Sequence, residues 1–363
     1  MRRWMWLALL CLGLGALAGC GSNGSSGSGG AGTSTTAKAG GGVTLDLGNG
    51  TTITTKTDKP KVAFFRAGTS DQYQVAFNAG VAKEAQRLGL DVTAFDPQYD
   101  PQRQLEQVQD AIQRGGFDAY LIVALDGNTM CPVLTHQAPA KGIVVVTALT
   151  PICNRGLKPA GVQQWSPGTL AHVQNDSTVT EAKAWLEAIA RRLPGHHTIA
   201  VLNGPPLITV SKAMAQAVAV TARAHPNLDF KYMIPGDFTT ATALARTQTL
   251  LKAHPDIDAI VSIYSDMTVG AIRAVKAAGL NGKVKLFDQA AGRASIQAIK
   301  DGELEMTTGH TPRENGAVAL ETLVGAFAGK RIPRYVGVFP PGASTGHPLV
   351  IDRSNVDSFE PQF

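Results

Sequence analysis

From Lys59 onward the chain alternates two hydrophobic patterns: short, nearly continuous apolar runs rich in β-branched residues, and longer stretches carrying a helical apolar stripe. The runs fall at 62–65, 92–95, 119–124 and 143–147, then at 199–202, 230–234, 259–263 and 284–287. Runs of this kind, separated by helical segments, predict parallel strands covered on both faces. Helices are predicted near 71–88, 126–140, 177–193, 208–224, 240–253, 267–278, 291–300 and 313–328. A further helix starts at Asp100-Pro101, an N-cap followed by an N1 proline. Its stripe is Leu105, Val108 and Ile112, and Gly115-Gly116 ends it. Val43 to Thr55, with Gly48-Asn49-Gly50 in the middle, reads as a small leading hairpin. Between about 150 and 175 the alternation breaks in a stretch rich in Pro and Gly. The expected architecture is therefore α/β, with two doubly wound parallel-sheet lobes joined by a hinge. A ligand belongs at the carboxyl ends of the strands, in the cleft between the lobes.

The first residues supply an address. Arg2 and Arg3 precede an apolar run from Trp4 to Ala18, and Leu17-Ala18-Gly19-Cys20 follows. This is the layout of a secretory signal, with residues 1–19 removed. The run is short for a bilayer-spanning helix. Leu-Ala-Gly-Cys resembles a bacterial lipobox, which implies lipidation at Cys20 and a protein anchored outside the cytoplasmic membrane. An ordinary signal peptide whose last residue happens to be Cys is the alternative. Residues 21–42, mostly Gly and Ser, read as a tether, so 20–58 is the lipidated Cys, linker and hairpin. Within the tether, Gly27-Ser28-Gly29-Gly30-Ala31-Gly32 matches G-x-G-x-x-G, but no strand precedes it and no helix follows, so it is composition only.

Composition narrows the function. The chain carries 33 basic and 28 acidic side chains, formally +5. Loss of Arg2 and Arg3 with the leader lowers this to about +3, too weak and too evenly spread for nucleic acid. Cys11 lies in the leader and Cys20 at the anchor, which leaves Cys131 and Cys153. In an exported chain these either form a disulfide tying the irregular stretch to the N-terminal lobe or remain two buried thiols. No Cys/His spacing suggests a metal, and His196-His197 lacks further ligands nearby. No cofactor is expected. Gly342-Ala343-Ser344-Thr345-Gly346 has the G-x-S-x-G form. It follows Pro340-Pro341, and His347 and Asp352 come too soon after it for the usual triad, so an enzyme is not expected.

The segments Lys61-Val62-Ala63-Phe64-Phe65, Thr69 to Gln74, and Gly80 to Ala85 resemble the opening of periplasmic sugar-binding proteins of the ribose-binding type. Asp100 to Asp110, Phe117 to Ile122, Ala253 to Ile260, Asp266 to Ala271, Phe287-Asp288 and Gly309-His310-Thr311-Pro312 follow in that family's order, so the resemblance covers about 60–350. It implies a type I periplasmic binding protein with a three-strand hinge and discontinuous lobes. These would be 59–174 with 311–334, and 175–310 with 335–351, leaving 352–363 as a tail. It further implies a monomer that binds a small sugar or polyol by closing, and that hands it to an ABC permease. A receptor presenting solute to a membrane signalling partner shares the same fold and is the alternative.

Sugar hydroxyls are bound by carboxylates, amides and guanidinium groups, with aromatics against C–H faces. The resemblance places ligand contacts at Ser70, Tyr73, Gln74, Ser265, Asp288 and His310. Asp71, Asp126 and Asp266 also stand at strand ends. Three have a second reading: Asp288 and Asp266 as helix caps, and Tyr73 as core. Where pyranose-binding members carry an Asp-Arg pair, this chain reads Ala148-Leu149, and serines stand where Asn is usual. The ligand expected is therefore a smaller polyol, a modified sugar or something less polar. Arg66, at a strand end, either replaces the missing guanidinium or makes a surface salt bridge. Trp165 either walls the cleft or packs under a loop.

Overall fold

A computed structural model describes residues 42–159, 161–174 and 178–363 in full, and the backbone alone of 35–37. The predicted leader, Cys20 and most of the tether lie outside the described residues. Among the described residues, no helix is long and apolar enough to cross a membrane.

The predicted hairpin forms from β2 (Val43–Asp46) and β3 (Thr52–Thr54), and β1 (Thr35–Ala37) adds antiparallel to β2. The first lobe follows: β4 (Val62–Phe65), α1 (Gln72–Leu88), β5 (Val92–Phe95), α2 (Pro101–Arg114) and β6 (Ala119–Ile122). It continues through α3 (Ala138–Ala140), β7 (Val144–Ala148) and β8 (Ala171–Gln174). The second lobe opens with α4 (Val179–Arg192), β9 (His197–Asn203), α5 (Thr209–Ala224), β10 (Leu228–Pro235) and α6 (Thr240–Ala253). It continues through β11 (Ala259–Ser262), α7 (Ser265–Ala277), β12 (Lys285–Phe287), α8 (Arg293–Asp301) and β13 (Met306–Thr308). The chain then returns to the first lobe with α9 (Pro312–Phe327) and β14 (Tyr335–Gly337), and to the second with β15 (Val350–Asp352). The sheet orders are β14-β8-β7-β6-β4-β5 and β10-β9-β11-β12-β13-β15, parallel throughout except for β15.

The apolar runs of the inner strands are explained by burial on both faces, whereas the edge strands β5 and β10 are partly exposed along theirs. Along β4, Val62 and Phe64 enter the larger core under α1 and α9, while Ala63 and Phe65 enter a second core under α2. The same alternation deals Leu121 and Val146 to one side, Tyr120 and Val145 to the other. Asp100 caps α2 by accepting from the Gln102 and Arg103 amides at 2.9 and 3.1 Å, and Gly115 closes it at φ 69°. Helices α1 and α9 cross at Gly80 and Gly316. A Cβ at either would collide with a carbonyl of the facing helix, Arg313 or Phe77, so only glycine permits this approach.

Three expectations change. The helix expected over 126–140 is a turn followed by a π-wound segment, Val133–Gln137, leading into α3; Pro132 and Pro139 interrupt regular winding. The break at 150–175 is not itself the hinge. It holds two 3-10 turns and then β8, which adds to the first sheet beside β7, so the chain leaves that lobe only after Gln174. Residues 335–337, expected in the second lobe, form β14 and pair in parallel with β8 in the first.

Cys131 and Cys153 are joined by a disulfide, with Cα atoms 4.9 Å apart. Trp165 packs against the leading hairpin at Gly48, and the Arg334 guanidinium lies 4.4 Å from its ring centroid. Arg334 also pairs with Asp46 at 3.2 Å, tying the hairpin to the first lobe.

Candidate functional site

The segment between β4 and α1 brings Asp71 to the α1 N-terminus, where Oδ1 accepts from the Gln74 amide at 2.9 Å. The same carboxylate accepts the Tyr99 hydroxyl from its own lobe and the Tyr264 hydroxyl from the other. Burial raises the Asp71 pKa, and the two phenols oppose that shift without cancelling it. Both phenols sit well above the usual tyrosine value, through burial first and the Asp71 charge second. A second bond crosses beside this one, from the Gln72 amide to Asp266 Oδ2 at 3.0 Å. Burial raises the Asp266 pKa as well, with the Asp71 charge adding to the shift.

On the far side of the cleft the lobes meet again. Thr209, at the start of α5, donates its amide to the Leu125 carbonyl and receives the Gly127 amide at its hydroxyl, each at 3.1 Å. Lys212 reaches Asp126 at 3.2 Å. Direct bonds at both edges mark the lobes as closed on one another.

Between these edges lies a cavity of about 90 Å³. One wall is a continuous run of rings: Tyr99 and Phe238 at 5.3 Å, Phe238 and Tyr264 at 5.4 Å, Tyr264 and Tyr73 at 6.1 Å. His310 extends it edge-on to Tyr73 at 5.9 Å. Aliphatic lining comes from Val123, Leu125, Leu149, Ile208, Val210 and Ile263. Polar lining comes from Gln74, Gln289, Thr150 and His310. Four lining residues, Tyr99, Leu149, Phe238 and Ala290, hold positive φ between 59 and 86°. Left-handed backbone at non-glycine positions is strained, and such strain gathers at ligand-binding sites.

The residues named from sequence divide into groups. Tyr73, Gln74 and His310 line the cavity. Asp71, Asp266 and Asp126 face the other lobe but spend their carboxylates on closure. Asp288 is fully buried and absent from the lining; its Oδ2 accepts from the Ser295 hydroxyl at 2.5 Å, with Thr268 and Thr307 alongside. Burial pushes its pKa up to about 6, and it caps no helix, since Gly292 precedes α8. Ser265 is buried beneath Gly292, and Ser70 is exposed. Arg66 lies outside the lining, its guanidinium 5.8 Å from the Phe64 ring centroid. Trp165 donates to the Thr169 carbonyl at 3.0 Å, away from the cavity. Ser344 and His347 pair through their backbones in a turn, and His197 meets Asp258 at 3.2 Å. Among the described residues, no group of three potential metal ligands exists.

Sequence reading missed Tyr99, Phe238, Tyr264 and Gln289. A signal existed: each follows the carboxyl end of a strand within four residues, the zone where an open α/β sheet receives ligand.

Comparison with known proteins completes the description. Residues 62–331 match the family described as periplasmic binding protein domain. The ribose import binding protein of Bacillus subtilis (strain 168) is 27% identical over 271 residues, covering 74% of this chain and 81% of that protein. A solute-binding protein from Bacillus halodurans C-125, solved with bound myo-inositol, has a TM-score of 0.71 at 21% identity, covering 85% of this chain and 100% of that one. The binding component of a Shewanella arabinose transporter, solved with L-arabinofuranose, has a TM-score of 0.69 at 22% identity, covering 82% and 93%.

Proposed function

The chain belongs to the periplasmic binding protein family, in its type I, ribose-binding form, and on that premise we propose that it captures a small uncharged solute of the sugar or polyol class and delivers it to an ABC importer. Proteins of this family are extracytoplasmic receptors and not enzymes. We further propose that Cys20 carries the lipid that holds the receptor at the membrane surface.

The observation that carries this reading is the cavity bounded by both lobes, with hydrogen bonds crossing on either side of it. A solute in such a cavity touches both lobes only when they are closed, so binding and closure are one equilibrium. Solute that prefers the closed form shifts the population toward it, and a transporter that recognises the closed form then senses occupancy. No bond in the solute needs to break.

A melting screen of the full chain against sugars and polyols tests this. A solute at a hundred times its dissociation constant adds about 2.7 kcal/mol to stability, a clear shift in the melting temperature. A screen in which no sugar or polyol shifts melting would overturn the proposed solute class. For the anchor, Cys20→Ser should leave an unacylated, mislocalised precursor, and unchanged membrane attachment would contradict it.

A further inference from the structure

We propose that the solute is a partly deoxygenated or O-alkylated ring sugar, and that a fully hydroxylated pyranose is bound less well. This rests on the reading of the cavity as the capture site, and sharpens it.

Among the described residues, no Asp, Glu, Asn, Lys or Arg lines the cavity. Of the carboxylates that stand close to it, Asp71 is held by two phenols and a backbone amide and Asp266 by the Gln72 amide, while Asp288 stands outside the lining and accepts from Ser295 at Oδ2. Tyr99 and Tyr264 turn their hydroxyls to Asp71, so both present chiefly ring carbon to the cavity. The polar groups that remain open are few. Gln74 is 8% exposed, lines the cavity, and its Oε1 is buried with no hydrogen-bond partner among the described residues. Gln289, Thr150 and His310 stand on the same lining, all buried, with His310 bonded to the Thr308 hydroxyl at 3.1 Å.

Each hydroxyl of a sugar is at once a donor and an acceptor. A fully hydroxylated ring closed into this cavity would meet aliphatic and aromatic carbon at most of its hydroxyls. A buried hydroxyl without a partner costs about tenfold in affinity, and often more. Replacing such hydroxyls by hydrogen or a methyl ether removes the cost, and lets the ring lie against the wall formed by Tyr73, Tyr264, Phe238 and Tyr99. The amides of Gln74 and Gln289 then suffice for the polar edge that remains.

The test titrates the full chain with matched pairs: D-galactose and D-fucose, D-ribose and 2-deoxy-D-ribose, D-glucose and its 3-O-methyl ether. The expected result is that the less hydroxylated member binds at least about tenfold tighter in one or more pairs. Parent sugars binding as tightly or tighter throughout would overturn the inference while leaving a sugar receptor in place. No binding by any member would remove both. A second arm uses Leu149→Asn, since Leu149 lines the cavity at φ 59°, a conformation that asparagine adopts readily. The added amide should move the preference toward the parent sugar by about tenfold. A preference unchanged by Leu149→Asn would show that the lining does not set it, and would also overturn the inference.

Discussion

Tyr264, which precedes α7 in the second lobe, donates its hydroxyl to Asp71, the carboxylate that caps α1 in the first. The bond joins the lobes beside the cavity, and its donor ring is part of the cavity wall. Closure and solute contact thus share one side chain.

Tyr264→Phe keeps the ring and deletes the crossing bond. A hydrogen bond to a charged group is worth about 1.5–3 kcal/mol, so affinity should fall roughly ten- to a hundredfold. Small-angle scattering of the unliganded variant should show a larger radius of gyration than wild type. An unchanged radius and affinity would mean the bond does not hold the lobes together.

Two buried groups should give pH dependences of opposite sign. His172 is fully buried between the Thr147 hydroxyl and the Gln174 side chain, each at 2.8 Å, and burial lowers its pKa to about 4. Its contribution is complete above the ordinary histidine value and is lost as pH falls through about 4. Asp288 has a pKa raised to about 6, so the cost of its buried charge is full above that pH and is relieved as pH falls toward the ordinary carboxylate value. Between about pH 4 and 6 the two nearly offset each other. Asp288→Asn should therefore make the protein more acid-sensitive, steepening the loss of stability from pH 7 to 4 by about 3 kcal/mol. His172→Gln should do the reverse. Denaturant melts across that range measure both, and parallel pH profiles for wild type and variants would contradict the assignment.

The Lys212–Asp126 pair closes the other edge, where both side chains keep some exposure to water. Partly exposed pairs contribute about 1 kcal/mol or less and are screened by salt. Lys212→Met should weaken solute binding less than about fivefold and flatten its dependence on ionic strength. A loss as large as that of Tyr264→Phe would show the pair to be the main latch.

The Cys131–Cys153 disulfide ties the irregular stretch, at Cys153, to the segment after β6. Gly127 in that segment and Gly156 beyond the bridge both approach Thr209 of the second lobe. Closing a 22-residue loop stabilises by roughly 3 kcal/mol in the chain-entropy account. Reduction should lower the melting temperature and also weaken solute binding. Thiol titration of the unreduced, denatured protein should find Cys131 and Cys153 unreactive.

Most of the fold was legible because most of the inner strands announce themselves as apolar runs. The strands that escaped notice are short or polar. β8 reads Ala-His-Val-Gln, and in the interior His172 bonds to both Gln174 and the Thr147 hydroxyl. β14 and β15 have three residues each and take their places from distant partners. The site was less legible for a related reason. A strand-end carboxylate can face solute, the opposite lobe or a hydroxyl behind it, and residue type does not separate these. Asp71 faces the other lobe, and Asp288 faces Ser295. Tyr99 and Phe238 reach the cavity through left-handed backbone, φ 62 and 65°, that nothing in their local sequence demands.

The central claim is capture of solute in the cavity between the lobes. Its most direct test is the affinity of wild type and Phe238→Ala for whichever sugar most raises the melting temperature. Phe238 joins Tyr99 of one lobe to Tyr264 of the other across the cavity wall. The account predicts that wild type binds and that Phe238→Ala loses at least about tenfold in affinity while still folding cooperatively. Equal affinity in the two proteins would place the solute elsewhere and contradict the account.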